Sequence, residues 1–96
     1  DDAHVARTQK MVTAGLKYFE REFKAMGLPY VPSVANFILV QVGKGREVFQ
    51  TMEREGVIVR PVDGYGLPDH VRITVGRAKE NRLCIQALKK VLAARK

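Results

Sequence analysis

The chain has 96 residues, of which 46% are apolar, and it carries a formal net charge of +7. This length suits one domain with a single modest core. No stretch approaches the roughly 20 apolar residues that a membrane-spanning helix needs. No apolar run follows the first four residues, so we expect no signal peptide here. The only cysteine, Cys84, excludes an internal disulfide and suits a reducing cytoplasm, the location we expect.

The positive charge raises the question of nucleic-acid binding, but its distribution argues against that function. Residues 77–96 contain seven Lys or Arg and one acidic residue, Glu80. No aromatic side chain is interleaved with these charges, so no platform for stacking bases is predicted. We interpret this stretch as the solvated basic face of a helix, and we expect neither a nucleic acid nor a membrane as partner.

Three segments show helical periodicity, over roughly 3–26, 46–55 and 78–94. In the first, the apolar residues of one face include a set that recurs every seven positions: Val5, Val12, Phe19 and Met26. Gly27 suits the end of this helix, whereas Gly15 inside it costs about 1 kcal/mol relative to alanine. The third helix follows Arg77, a poor N-cap residue that costs about 1 kcal/mol.

Four short strands are predicted between these helices, over 28–31, 36–42, 57–60 and 71–75. The second is apolar on both faces, so both faces should be covered, yet a two-layer domain covers only one face of its sheet. The order α-β-β-α-β-β-α predicts an α+β fold, in which the helices pack on one face of a small, mostly antiparallel sheet.

Two arginines are the best candidates for a binding site. Alternation along a strand places Arg72 on the face opposite Val71 and Ile73. Arg60 ends the preceding strand, and the loop between the two arginines contains Tyr65 between two glycines. Guanidinium groups bind carboxylate or phosphate through paired hydrogen bonds. The arginines therefore predict a site for an anion, although two solvated surface arginines would explain the same pattern.

Other candidate sites are weaker. The turn Gly43-Lys44-Gly45-Arg46 lacks the spacing of a phosphate-binding loop and is interpreted as a strand-to-helix turn. His4 and His70 are far apart and have no ligand cluster near them, so no metal site is predicted. Cys84 should be packed in the core. The residues alone thus predict an incomplete anion site and no catalytic residue.

Several motifs closely resemble the C-terminal part of histidinol-phosphate aminotransferases. They are P-S-x-A-N-F at 32–37, V-R-P at 59–61, G-Y-G-L-P at 64–68, R-I-T-V-G at 72–76 and the pair E-N at 80–81. The opening helix also resembles the one that leads into the family's small domain. The resemblance covers essentially the whole chain, in order and spacing.

This resemblance implies that residues 1–96 form the small C-terminal domain of a pyridoxal-phosphate-dependent enzyme. The family usually forms homodimers and moves an amino group between histidinol phosphate and 2-oxoglutarate, the keto acid of glutamate, in histidine biosynthesis. It implies that Arg72 and Arg60 bind the substrate anion and that Tyr65 belongs to a loop near the substrate. The family's cofactor lysine and the aspartate beside the pyridine nitrogen lie in a large domain, and nothing here matches them. We therefore expect a truncated chain that is inactive and binds no cofactor by itself.

Two alternatives remain open. Related aminotransferases or decarboxylases that act on aromatic amino acids or on threonine phosphate have a similar small domain. The chain would otherwise be a free-standing module that binds a small ligand.

Overall fold

The computed structural model describes residues 2–95 and confirms the predicted α+β architecture. Three helices alternate with a four-stranded antiparallel sheet. The elements are α1 Asp2–Met26, β1 Tyr30–Val31, β2 Phe37–Gln41, α2 Gly45–Arg54, β3 Arg60–Pro61, a 3-10 helix Asp63–Tyr65, β4 His70–Thr74 and α3 Ala78–Ala94. Within residues 2–95, no helix is long and apolar enough to cross a membrane.

The sheet has the strand order β1-β2-β4-β3, so the two longer strands form its centre. Side chains that alternate along β2 and β4 are buried in one hydrophobic core, which all three helices share. The fully buried large side chains of this core include Phe19, Phe23, Ile38, Met52, Ile73, Ile85 and Leu88. All three helices therefore pack on the same face of the sheet, and we call the opposite face the open face.

Helix α1 contributes to the core only through its second half. Leu16, Phe19 and Phe23 are buried, whereas residues 2–10 are all exposed. The glycine inside this helix has a structural reason, because a Cβ at Gly15 would overlap the side chain of Val75. Absence of a side chain here lets α1 approach the end of β4 closely, which offsets the low helix propensity of glycine.

The start of α3 is better stabilised than the sequence suggested. The side chain of Glu80 accepts a hydrogen bond of 2.8 Å from the backbone N–H of Arg77. The buried amide of Asn81 accepts from the N–H of Gly76 at 2.9 Å and donates to the carbonyl oxygen of Gly76 at 3.0 Å. These bonds satisfy the N–H of Arg77 and both backbone groups of Gly76, the two residues that lead into α3.

Strand β3 differs from its prediction over 57–60, because only Arg60 and Pro61 pair with β4. The N–H of Val57 instead donates to the carbonyl oxygen of Met52 at the end of α2, following Gly56 at φ 85°. This helix-ending turn uses the donor that an earlier start of the strand would need. Proline is tolerated in β3 since an edge strand leaves part of its backbone unpaired.

Candidate functional site

Arg60 and Arg72 lie directly opposite each other in neighbouring strands. Residue Arg60 of β3 is the register partner of Arg72 of β4, and both side chains are exposed. Because Val71 and Ile73 are buried beneath the helices, Arg72 projects from the open face. Like charges in directly opposite positions destabilise a sheet. An anion between the two guanidinium groups would relieve that repulsion.

The surroundings of Arg72 are aromatic and aliphatic. Its guanidinium carbon lies 5.3 Å from the centroid of the Phe37 ring, a cation–π contact. Leu39 is opposite Arg72 on β2, and Val31 is opposite Leu39 on β1. The open face thus carries one row of paired residues across the four strands: Val31, Leu39, Arg72 and Arg60. The half of the face on β1 and β2 is apolar, and the half on β4 and β3 carries the two arginines. The Phe37 ring restricts where the Arg72 guanidinium can lie.

Neither arginine forms an ion pair within residues 2–95. Other basic residues do have acidic partners: Arg46 pairs with Asp63, Lys89 with Glu22 and Lys90 with Glu55. The pairs of Lys89 and Lys90 join the basic helix α3 to acidic side chains of α1 and of the residue that follows α2. Arg60 and Arg72 therefore face each other across two strands without a carboxylate of the described chain between them.

His70 is a member of this face that the sequence did not single out. It begins β4 two residues before Arg72, opposite Gln41 of β2. Its Nδ1 atom is buried and has no hydrogen-bond partner within the described chain. The predicted strand over 71–75 left His70 just outside β4. Counting back two positions from Arg72 in a strand would have placed it on the same face.

Tyr65 ends the 3-10 helix in the connection between β3 and β4. Its side chain is 85% exposed, so it is available to a ligand or another part of a protein. In the part of the chain that the structure describes, no hydrogen bond or ring contact links Tyr65 to Arg60 or Arg72. The structure therefore pairs the two arginines across β3 and β4 and leaves Tyr65 on the connecting loop, where the described chain shows no such contact to either of them.

The glycine turn before α2 does not offer a free phosphate cradle. The N–H of Gly43 donates to the carbonyl oxygen of Asp69 at 2.9 Å, and that of Gly45 donates to the carbonyl oxygen of Pro68 at 2.8 Å. The N–H of Lys44 donates to Oδ1 of Asp69 at 3.1 Å. These donors are already used by the chain itself, as expected for a strand-to-helix turn.

Cys84 and the acidic residues offer no alternative chemistry. Burial raises the pKa of the Cys84 thiol to about 12, so the thiolate needed for nucleophilic attack is scarce at neutral pH. Among residues 2–95, no group of three His, Cys, Asp or Glu side chains is placed to hold a metal ion. The open face with its two arginines is the remaining candidate.

Comparison with known proteins identifies the family. The family model described as "Aminotransferase class I and II" matches residues 1–88. The chain belongs to this family. The histidinol-phosphate aminotransferase of Akkermansia muciniphila is 51% identical over 92 residues, which are 96% of this chain and 25% of that enzyme. Histidinol-phosphate aminotransferase 1 of Nitrosococcus oceani is 50% identical over 93 residues, covering 96% of this chain and 25% of that enzyme. The chain thus spans about a quarter of the length of these relatives.

Solved aminotransferase structures have the same fold. The histidinol-phosphate aminotransferase of Clostridium acetobutylicum superposes with a TM-score of 0.87 at 22% identity, covering 98% of this chain and 30% of that one. The Sinorhizobium meliloti enzyme, solved in complex with pyridoxal-5'-phosphate, gives a TM-score of 0.83 at 21% identity, covering all of this chain and 28% of that one.

The described residues do not fit a site that holds pyridoxal phosphate covalently. Such a site needs a lysine that forms a Schiff base and an acidic partner for the pyridine nitrogen. Every lysine between residues 2 and 95 is exposed, and no Asp or Glu in that range is buried. The two open-face arginines remain the candidate for binding a ligand.

Proposed function

We propose that the chain is the small C-terminal domain of a pyridoxal-phosphate-dependent aminotransferase that acts on histidinol phosphate and 2-oxoglutarate. Identities of about half the positions to two histidinol-phosphate aminotransferases support this substrate pair. In the full-length enzyme, a large domain of the same polypeptide holds the cofactor, which supplies an electron sink for chemistry at the α-carbon. We propose further that the full-length enzyme is a cytoplasmic homodimer and that the isolated domain has no aminotransferase activity.

The observation that carries the proposal is the register pairing of Arg60 with Arg72 on the open face. Both substrates carry an anion away from the reacting carbon, one a phosphate monoester and the other a second carboxylate. A guanidinium fork accepts either group through paired hydrogen bonds. Arg72, held against Phe37, fixes the anion and so places the α-carbon for proton transfer. Arg60 adds a second positive charge, and Tyr65 borders the site from its loop.

The apolar half of the open face supports the presence of a second domain. Phe37 and Leu39 are only half-buried although they lie mid-sheet, and Val31 beside them is exposed. Apolar side chains on both faces of β2 are typical of a strand that is covered on both sides. The large domain covers this half of the face, and the arginines lie at its border with the substrate.

The test uses the full-length product of the same gene, with and without the substitution Arg72→Ala. The measurement is glutamate formation from histidinol phosphate and 2-oxoglutarate in the presence of pyridoxal phosphate. Removing one partner of a buried charge pair costs about 2–5 kcal/mol, so kcat/KM should fall about 30-fold or more for both substrates. Arg54→Ala, which removes an exposed arginine of α2, should change it less than about twofold.

Three outcomes would contradict parts of the proposal. Unchanged kinetics in Arg72→Ala would contradict the role of the arginine. Faster turnover with phenylalanine or threonine phosphate than with histidinol phosphate would replace the substrate while keeping the family. Failure of the full-length protein to bind pyridoxal phosphate would favour a module that binds a small ligand.

A further inference from the structure

The connection between β3 and β4 (residues 62–69) is hydrogen-bonded, near its start, to the first turn of α2. Arg46 of α2 donates two hydrogen bonds to Asp63, from Nε to Oδ2 at 2.7 Å and from Nη2 to Oδ1 at 2.9 Å. This paired geometry fixes the direction of both side chains as well as their distance. Oδ1 of Asp63 also accepts from the N–H of Gly64 at 3.0 Å. The fork to Arg46 thus orders the turn that leads to Tyr65.

The other end of the same connection is fastened to the turn before α2. The N–H of Gly45 donates to the carbonyl oxygen of Pro68, and the N–H of Lys44 donates to the carboxylate of Asp69. A Cβ at Gly45 would overlap the carbonyl oxygen of His70, so the two segments are in direct contact. Between these two sets of hydrogen bonds, Tyr65 and the glycines on either side of it are exposed.

The placement of Arg60 depends on the next three residues of the chain, because β3 pairs with β4 through only two residues. Asp63 comes three positions after Arg60, and Pro61 between them has a fixed φ. Val62 is buried beside the core. Few free torsions therefore separate Arg60 from the fork at Asp63, so we expect a shift of Asp63 to alter the direction of Arg60.

The fork contributes little to fold stability. The side chains of Arg46 and Asp63 are 54% and 34% exposed, and solvent screens exposed ion pairs strongly. The hydrogen bond from Arg46 lowers the pKa of Asp63, so the pair is fully charged at neutral pH. The pair therefore fixes the direction of the loop at Asp63 but contributes little to the free energy of unfolding.

We propose that Arg46 and Asp63 are positioning residues, whose fork on α2 holds Arg60 and Tyr65 in place around the substrate anion. This inference rests on the proposed function of Arg60 and Arg72. Neither Arg46 nor Asp63 is required to touch substrate. Loosening the fork lets Arg60 and Tyr65 sample other positions, which weakens binding of the anion while the reacting atoms keep their chemistry.

The experiment measures KM and kcat of the full-length enzyme, loaded with pyridoxal phosphate, for histidinol phosphate and 2-oxoglutarate. Asp63→Asn keeps the shape but removes the charge, and Arg46→Lys keeps the charge but removes the fork. Each should raise both KM values about threefold to tenfold, since small misplacements weaken an oriented site. The kcat values should change less than about twofold.

A charge exchange and a control separate positioning from general damage. The double substitution Arg46→Asp with Asp63→Arg rebuilds the ion pair in reverse, although position 63 then cannot accept from the N–H of Gly64, and it should restore KM at least part of the way toward the parent value. Arg54→Lys alters another exposed arginine of α2, one that donates to Thr51 at 3.1 Å, and should leave KM unchanged. The thermal midpoint of each variant should stay close to that of the parent, since the pair is exposed.

The outcomes distinguish this inference from the function on which it rests. Unchanged KM in Asp63→Asn, or failure of the exchanged pair to restore KM, would overturn the positioning role if Arg72→Ala still raises KM. Unchanged kcat/KM in Arg72→Ala would overturn both proposals. A fall in kcat and in thermal midpoint with unchanged KM would assign the fork a structural role and overturn the inference.

Discussion

Strands β2 and β4 supply side chains to both faces of the sheet, but the two faces differ in how deeply these side chains are buried. The helix-facing positions carry apolar side chains that are almost completely buried: Ile38, Val40, Val71 and Ile73. The open-face positions carry half-buried apolar and exposed polar side chains: Phe37, Leu39, Arg72 and Thr74. Since neighbours along a strand alternate between faces, one short strand supplies both the core and the candidate site. The comparison predicts that substitutions at adjacent positions act on different properties.

The largest expected effect is on the helix-facing side. Ile73→Ala should lower the free energy of unfolding by about 2–5 kcal/mol, because it leaves a cavity in a packed core. Thr74→Ala, at the next position but on the open face, should change it by less than about 0.5 kcal/mol. Urea denaturation of both variants measures the difference. Equal losses of unfolding free energy in the two variants would contradict the expected difference in packing between the two faces.

The second effect concerns the close approach of α1 to the end of β4. Gly15→Ala should lower the free energy of unfolding by about 1–3 kcal/mol, because the new methyl group overlaps Val75 in the packed core. By helix propensity alone the same change would stabilise the helix by about 1 kcal/mol. The sign of the shift in the urea midpoint therefore decides between packing and propensity.

A matched control for that change is Gly64→Ala, in the exposed loop. A Cβ at Gly64 meets no atom within 4 Å, and its φ is not in the left-handed region. The substitution should leave the midpoint nearly unchanged. A loss at Gly64 as large as that at Gly15 would show that a general cost of adding a methyl group explains both.

The smallest effect on stability is expected at the candidate site itself. Arg72→Ala removes a cation–π contact with Phe37 but also relieves repulsion from Arg60. Contributions of these two kinds are each below about 1 kcal/mol and have opposite signs. The free energy of unfolding should change by less than about 0.5 kcal/mol. A loss above about 2 kcal/mol would mean that the open face also carries stability.

The sequence predicted the elements because their periodicities are strong and local. The bounds of α3 agree with the prediction, α1 begins one residue earlier than predicted, and α2 begins and ends one residue earlier. The face of Arg72 followed from alternation along β4. Both arguments use residues that are close in the chain, where geometry depends on the backbone alone.

The remaining features depend on contacts between distant residues. Arg46 and Asp63 are 17 positions apart, and nothing in their local patterns marks them as partners. The bonds of Asn81 to Gly76 could not be foreseen either, although the pair E-N at 80–81 is one of the family motifs. The register of Arg60 against Arg72 depends on where β3 begins. The apolar run at 57–59 suggested an earlier start because it does not reveal the turn after Gly56.

The shortness of the outer strands affects how copies of this domain can associate. Strands β1 and β3 form the two borders of the sheet, and each has only two residues. Proline lies within β3 and on both sides of β1, at positions 61, 29 and 32. Short borders with few free N–H groups are poor templates for adding a foreign strand, which is the usual route to fibrils. At high concentration, self-association should therefore proceed through side chains of the open face, and adding salt or an anion should alter it.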